Sequence, residues 1–309
     1  MRNGGVTSGQ RDSFTVMDAD DYEETPVGQV VYRWARYTTS LASFNRLVRD
    51  SIELVGPTVR YRDLFASMTK TATGDQRRHW HDTEVHSSQI IRNDYAEVNA
   101  HILTAVWGGL ESFVEDFCHA ALVMDRTLLQ SGNLTKVKLA PEVLLLSESE
   151  QVEIILSQAF NNVSADLQPG VGKFIAQLEC IDLDGAVKAQ TTEVLRNRIL
   201  YAQQFRNLIV HRGSVVDKRF VKRCGSLSYI VGDKVQVSTQ LLREWFSGVV
   251  AYGLLIVNSH RERHGLDPFK LPSMTQDPDL SNYVERWGQI HPNTGWFAEP
   301  VPPFEHLSI

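Results

Sequence analysis

Between residues 98 and 117 the chain repeats large apolar side chains at intervals of three and four: Val98, Ile102, Val106, Leu110, Phe113 and Phe117. At 100° per residue these positions fall within a stripe about 100° wide. That is what a core-facing α-helix requires, and a half-buried strand would need period two. The pattern predicts one long helix from about His81 to Met124, with Gly109 on the stripe where another backbone could approach closely.

The same spacing recurs elsewhere. Val30, Val31, Trp34, Leu41, Phe44, Leu47 and Ile52 predict a helix over about 27–55, ended by Gly56-Pro57. Ser147-Glu-Ser-Glu reads as a capping box opening a helix that runs to about Val163. Thr191 or Thr192 starts a helix that ends at about His211, before Gly213, and a last one runs from Ser238 or Thr239 to Arg263. Tyr229, Val231, Val235 and Val237 alternate around Gly232-Asp233, predicting a small hairpin with a type II′ turn. The expected fold is all-α: an antiparallel helical bundle with one small β-hairpin before the last long helix. Four regions follow: an acidic, disordered tail over 1–26, an N-terminal helical extension over 27–75, the main helical domain over 76–265, and a proline-rich tail over 266–309.

Composition narrows the function classes. With 42% hydrophobic and 22% charged residues the chain is neither disordered nor fibrous. A net charge of −6 excludes a uniformly basic nucleic-acid coat but not a local basic patch. Cys118, Cys180 and Cys224 lie far apart with no CxxC, so a reducing cytoplasm is expected. No leader and no span-length apolar run is expected, hence no membrane. His79, His81 and His86 match no standard zinc spacing, and His260 and His264 lack the glutamate of an HExxH site, so no metal is expected. Phosphate-loop, dinucleotide and serine-hydrolase motifs are absent from the sequence, and no cofactor is expected. Trp80, Trp107 and Trp245 read as core residues.

One helix breaks its own pattern. Over 194–213, Leu195, Ile199, Ala202, Phe205 and Ile209 form the buried stripe, and Arg206 falls inside it. A guanidinium cannot sit unpaired among aliphatic side chains, because burying an unpartnered charge costs several kcal/mol. Arg206 must therefore meet a carboxylate, a phosphate or a wet subunit interface. Glu111 and Glu115, on the flank of the long helix, are the candidate carboxylates. His211 lies at the helix end, and histidine changes charge near neutral pH, which suits proton transfer. Asn207 is one turn earlier on the same face. Residues 196–223 hold eight basic side chains against one acid, Asp217, a net +7 on an acidic chain. Arg212, Lys218, Arg219, Lys222 and Arg223 are the expected backbone-binding cations of a phosphodiester ligand.

The segment "FRNLIVHRG", with Arg206-Asn207-x-x-x-His211, resembles the R-x4-H signature of the HEPN superfamily, and "YAEVNAHILTAVWGGLESFVEDF" (95–117) resembles the first core helix of those domains. The resemblance spans roughly residues 80–262. It implies an α-helical, usually dimeric, metal-independent endoribonuclease, often a toxin or an antiviral defence effector restrained by an antitoxin or another regulatory protein. By resemblance Arg206 would polarise the scissile phosphate, His211 would move the proton of the 2′-hydroxyl or leaving oxygen, and Asn207 would assist; the acid near the middle of the resembling helix makes Glu111 the preferred partner of Arg206. Some members carry a modifiable tyrosine two residues after the histidine; Gly213 stands there in this chain. Arg206 and His211 are about 140° and 7.5 Å apart along one helix, so a homodimer with a composite site is expected. The alternative is a non-catalytic helical dimer that binds RNA, a nucleotide or a protein partner.

Overall fold

The computed structural model describes residues 19–130, 134–135, 137–162 and 170–269. Among these the fold is an all-α bundle with no strand. Ten helices are described: α1 (Ala19–Glu24), α2 (Pro26–Thr69), α3 (Gly74–Arg92), α4 (Ala96–Met124), α5 (Glu148–Asn162), α6 (Val171–Leu178), α7 (Asp184–Gln190), α8 (Glu193–Arg212), α9 (Lys218–Arg223) and α10 (Thr239–Arg263).

Helix α4 is the central element, packed by α2, α8 and α10. Its predicted stripe is buried: Ile102, Val106, Leu110, Phe113 and Phe117 all join the core. Trp34 stacks on Phe113, and Tyr37 donates to the Ala105 carbonyl, so α2 runs antiparallel to α4. A Cβ on Gly109 would overlap the Tyr37 ring, which is the close approach that this glycine permits. Phe205 meets Trp245 while Gly248 abuts Arg198, so α8 and α10 are antiparallel too. By contrast, α4 and α10 run in the same direction: the Asp94 carboxylate accepts from Thr239 at one end, and Phe117 meets His260 at the other. The purely antiparallel expectation is corrected at this pair. Trp107 and Trp245 are core residues, whereas Trp80 is half-buried.

Several boundaries differ from the sequence reading. Residues 19–24, expected in a disordered acidic tail, form α1, and Tyr22 within it is buried, with its hydroxyl 3.2 Å from His260 Nδ1. The acids around Tyr22 masked one anchoring aromatic. Residues 1–18 of that tail, and 270–309 of the proline-rich segment, lie outside the described residues. Gly56-Pro57 does not end α2; Pro57 sits exposed inside the helix, which continues to Thr69 with α3 packed alongside it. The region 27–75 is no separate extension, since Val27, Val30, Val31 and Trp34 share the core of α4. The long helix predicted over 81–124 is broken at 93–95, where Asp94 and Tyr95 adopt left-handed φ of 51° and 56°. Tyr95 is fixed there by its bond to Glu53 (2.7 Å) and by the Arg49 guanidinium over its ring. The capping box is present, with Glu150 accepting from the Ser147 backbone at 2.8 Å and opening α5; the expected end at Val163 lies outside the described residues.

The hairpin does not form. Gly232, at φ +99°, is the third residue of a turn closed by Asp233 N–H to the Ile230 carbonyl, a type II rather than a II′ position. The segment after it pairs instead with residues 214–216, through a single antiparallel bridge between Val215 and Lys234.

By length and composition α10 could cross a bilayer, against the expectation of no such run. Within this fold 78% of its most apolar window is buried, as in a bundle's core helix.

Candidate functional site

Helix α8 positions the candidate residues. Thr192 caps its start by accepting from Leu195 N–H, and Leu195, Ile199, Ala202, Phe205 and Leu208 bury its apolar face. Ile209, predicted for that stripe, is only partly buried. Gly213 closes the helix at φ +57°, and its own N–H and that of Ser214 both reach back to the Leu208 carbonyl, the first as a six-to-one bond. His211 and Arg212 thus occupy the last exposed turn. Asp217 then accepts from Phe220 N–H at 2.8 Å and caps α9, and Phe220 packs on Phe205 at 5.3 Å. This contact folds α9 and its cations back beside the end of α8.

Arg206 meets the preferred carboxylate. Glu111 Oε2 lies 3.7 Å from Arg206 Nη2, while Glu111 Oε1 accepts from Lys173 Nζ at 3.0 Å. All three side chains are about one-quarter exposed, at 25%, 25% and 23%. The sequence reading did not single out Lys173; nothing in the short segment around it distinguishes this lysine from a surface one. Glu115, the second candidate, is exposed and does not take that place. The Glu111–Arg206 contact is longer than a hydrogen bond. Arg206 Nη1 donates to Asn207 Oδ1 at 3.2 Å, and its buried Nε has no hydrogen-bond partner. Two cations therefore share one carboxylate, leaving a local excess of one positive charge.

A groove of about 320 Å³ opens on the next face of α8. Asn207, His211, Arg212, Asp217, Arg219 and Arg223 line it. Arg223 donates to Gln204 Oε1 at 3.5 Å, and Arg212 lies 3.7 Å from Asp217. Lys218 lines an adjoining open depression with Arg212 and Arg219, while exposed Lys222 lines neither. Five of the expected site residues thus converge on one groove, and Arg206 is not among its walls. Asn207 joins the two halves: it accepts from Arg206 on one side and faces the His211 groove on the other. Arg206 is consequently explained first as an ion-pair member within one protomer, and it reaches a ligand only from the far side of Asn207 or from a second copy.

Among the described residues no cluster of three His, Cys, Asp or Glu side chains has metal-ligating geometry. The three cysteines are buried and unpaired, and burial raises the Cys224 thiol to about 12, so it is not a nucleophile. Compared with family models, curated proteins and solved structures, the chain matches none. The R-x4-H likeness therefore rests on residues of this chain alone.

Proposed function

We propose that the protein is an RNA-directed endoribonuclease that works without a metal, with His211 as the proton-transfer group. The observation that carries this reading is the meeting of an exposed histidine, an amide and three arginines in one groove at the end of α8. A phosphodiester would be held electrostatically by Arg212, Arg219 and Arg223. His211 would take the 2′-hydroxyl proton, and the displaced 5′-oxygen would leave with a proton returned to it, giving a cyclic phosphate. Arg206 would stabilise the phosphorane charge across a molecular dyad, since its own protomer turns it away from His211. Glu111 and Lys173 would fix its orientation. The family resemblance extends the proposal to a cytoplasmic toxin or phage-defence effector restrained by a protein partner.

One observation favours the second reading, a non-catalytic binding dimer: Arg206 already has a carboxylate counterion, Glu111, within its own protomer at 3.7 Å. The two are separated by incubating labelled RNA with the protein in EDTA. The nuclease reading expects cleavage by wild type and loss of at least about 100-fold for His211→Ala, a typical contribution of one proton-transfer group. Binding without cleavage gives the second reading, and full activity of His211→Ala contradicts the first.

A further inference from the structure

A further cavity lies across the end of α8 from the His211 groove, and the proposed chemistry leaves it unused. Its volume is about 360 Å³, at the small end of the range for small-molecule sites. It sits where the left-handed break at 93–95 joins α3 to α4 and where Lys234 bridges Val215. Half-buried Ile90 and Ile209 and buried Val235 give it an apolar floor, and exposed Gln89, Glu97, Lys234 and Gln236 form its rim. Among the described residues neither Glu97 nor Lys234 has an ion-pair partner. The rim chemistry selects among ligands. A phosphate would meet Glu97 as a like charge, so this is not another anion site. A planar base fits: the aliphatic floor takes its face, while one carboxylate and one ammonium sort its edges. Guanine carries adjacent N–H donors on N1 and N2 that a carboxylate accepts together, and two acceptors, O6 and N7, that a lysine serves. On the edge where guanine has those donors, adenine presents a lone pair at N1 and the pyrimidines present lone pairs at O2, which the carboxylate opposes.

We infer that this pocket takes a guanine base of the RNA strand whose backbone lies in the His211 groove. The inference rests on the reading of the protein as RNA-directed and adds a base preference to it. Gly213 and Ser214 line the pocket, while Asn207 and His211 line the groove. At 100° per residue Ile209 lies about 200° round α8 from Asn207, so the two sites occupy opposite sides of its last turns. The crossing between them is short because the helix ends there. Gly213 has no side chain, and a Cβ at its position would meet nothing within 4 Å, so a strand has room to pass over the helix end. The helix is about 10 Å across, which about three stacked nucleotides span at about 3.4 Å each. Phosphate contacts in the groove carry no sequence information, whereas edge contacts in the pocket do.

Filter binding of the full chain in EDTA tests it, with an oligouridine strand carrying one guanosine set against the all-uridine strand. Wild type is expected to bind the guanosine strand at least about 10-fold more tightly, the discrimination of one good base contact. Inosine in place of guanosine, which lacks the N2 amine, should lose most of that gain. Glu97→Ala separates a base contact from simple charge. If Glu97 only repels phosphates, its removal tightens both strands alike. As a base acceptor, its removal weakens the guanosine strand alone and brings the preference below about 2-fold. Lys234→Met should lose the preference as well, and because both positions are exposed the far-UV circular dichroism should stay unchanged. No preference in wild type, or a preference kept in Glu97→Ala, would overturn the pocket and leave the nuclease reading standing. Failure to bind either strand would overturn both. Free guanosine monophosphate bound as tightly as the guanosine strand would overturn the assignment to a base within RNA.

Discussion

Glu111 holds two cations with one carboxylate, and that geometry decides what its removal costs. Glu111→Gln leaves Lys173 and Arg206 facing each other without a counterion, at sites three-quarters shielded from water. The expected loss is about 1–2 kcal/mol, between the values for exposed and fully buried pairs. Exposed Glu115→Gln should change stability by less than about 0.5 kcal/mol. Chemical denaturation of the two variants compares them, and equal losses would contradict the ion-pair account. That Arg206 needs a partner was legible in the sequence because a charge on an apolar stripe demands one, but the flank of the facing helix offered Glu111 and Glu115 equally. Lys173 was not legible, since a cation that joins an existing pair leaves no pattern violation of its own. A second residue-scale consequence comes from His260. Burial first, then the neighbouring His264 and Arg263, hold its pKa down to about 3. The unfolded chain takes up that proton near pH 6.5, and the folded chain resists until about pH 3. Across that window the unfolded state binds more protons, so stability falls as pH falls, by up to about 1.4 kcal/mol per pH unit for one group. Above pH 6.5 this contribution is complete. His260→Gln, which leaves Tyr22 a polar neighbour, should flatten the acid limb of a Tm-against-pH curve; an unchanged limb would show that other groups set it.

At the scale of elements, periodicity located helices better than punctuation ended them. The stripes of α4 and α8 are buried as their spacing requires, because burial of one face is what stabilises an amphipathic helix. Pro57 and Gly56 were read as a stop, yet α2 continues through them with α3 packed alongside. A proline inside a helix costs about 3 kcal/mol relative to alanine, partly offset by the freedom that proline removes from the unfolded chain. Pro57→Ala should therefore stabilise the protein by about 1–3 kcal/mol, read as a higher Tm, and a lower Tm would contradict its placement. The break at 93–95 had no glycine or proline to announce it. It is made by Tyr95 and Asp94, through partners more than 40 residues away in sequence, Glu53 and Thr239. The missing hairpin has the same lesson: its alternating residues pair with the chain leaving α8, a long-range choice that local alternation does not encode.

For the whole molecule, the position of charge matters more than its total. The chain is acidic, yet the end of α8 and α9 form a cationic groove, so RNA affinity should fall as salt rises. Arg219→Ala/Arg223→Ala should reduce the slope of log affinity against log salt by about 1.4, at about 0.7 per lost phosphate contact on a single strand. Filter binding at several salt concentrations gives that slope, and an unchanged value would remove the groove from the binding surface. The sequence carried the cations, the histidine and the helix that holds them. It did not carry the separation of Arg206 from the groove, which depends on how α4 and α6 present Glu111 and Lys173. The most direct test of the account is the end group left on RNA. An all-ribose oligonucleotide incubated with the protein in EDTA should yield a 2′,3′-cyclic phosphate, and the same strand with 2′-deoxy sugars should stay intact. Cleavage of both strands, or of neither, would contradict a reaction in which His211 activates the ribose hydroxyl.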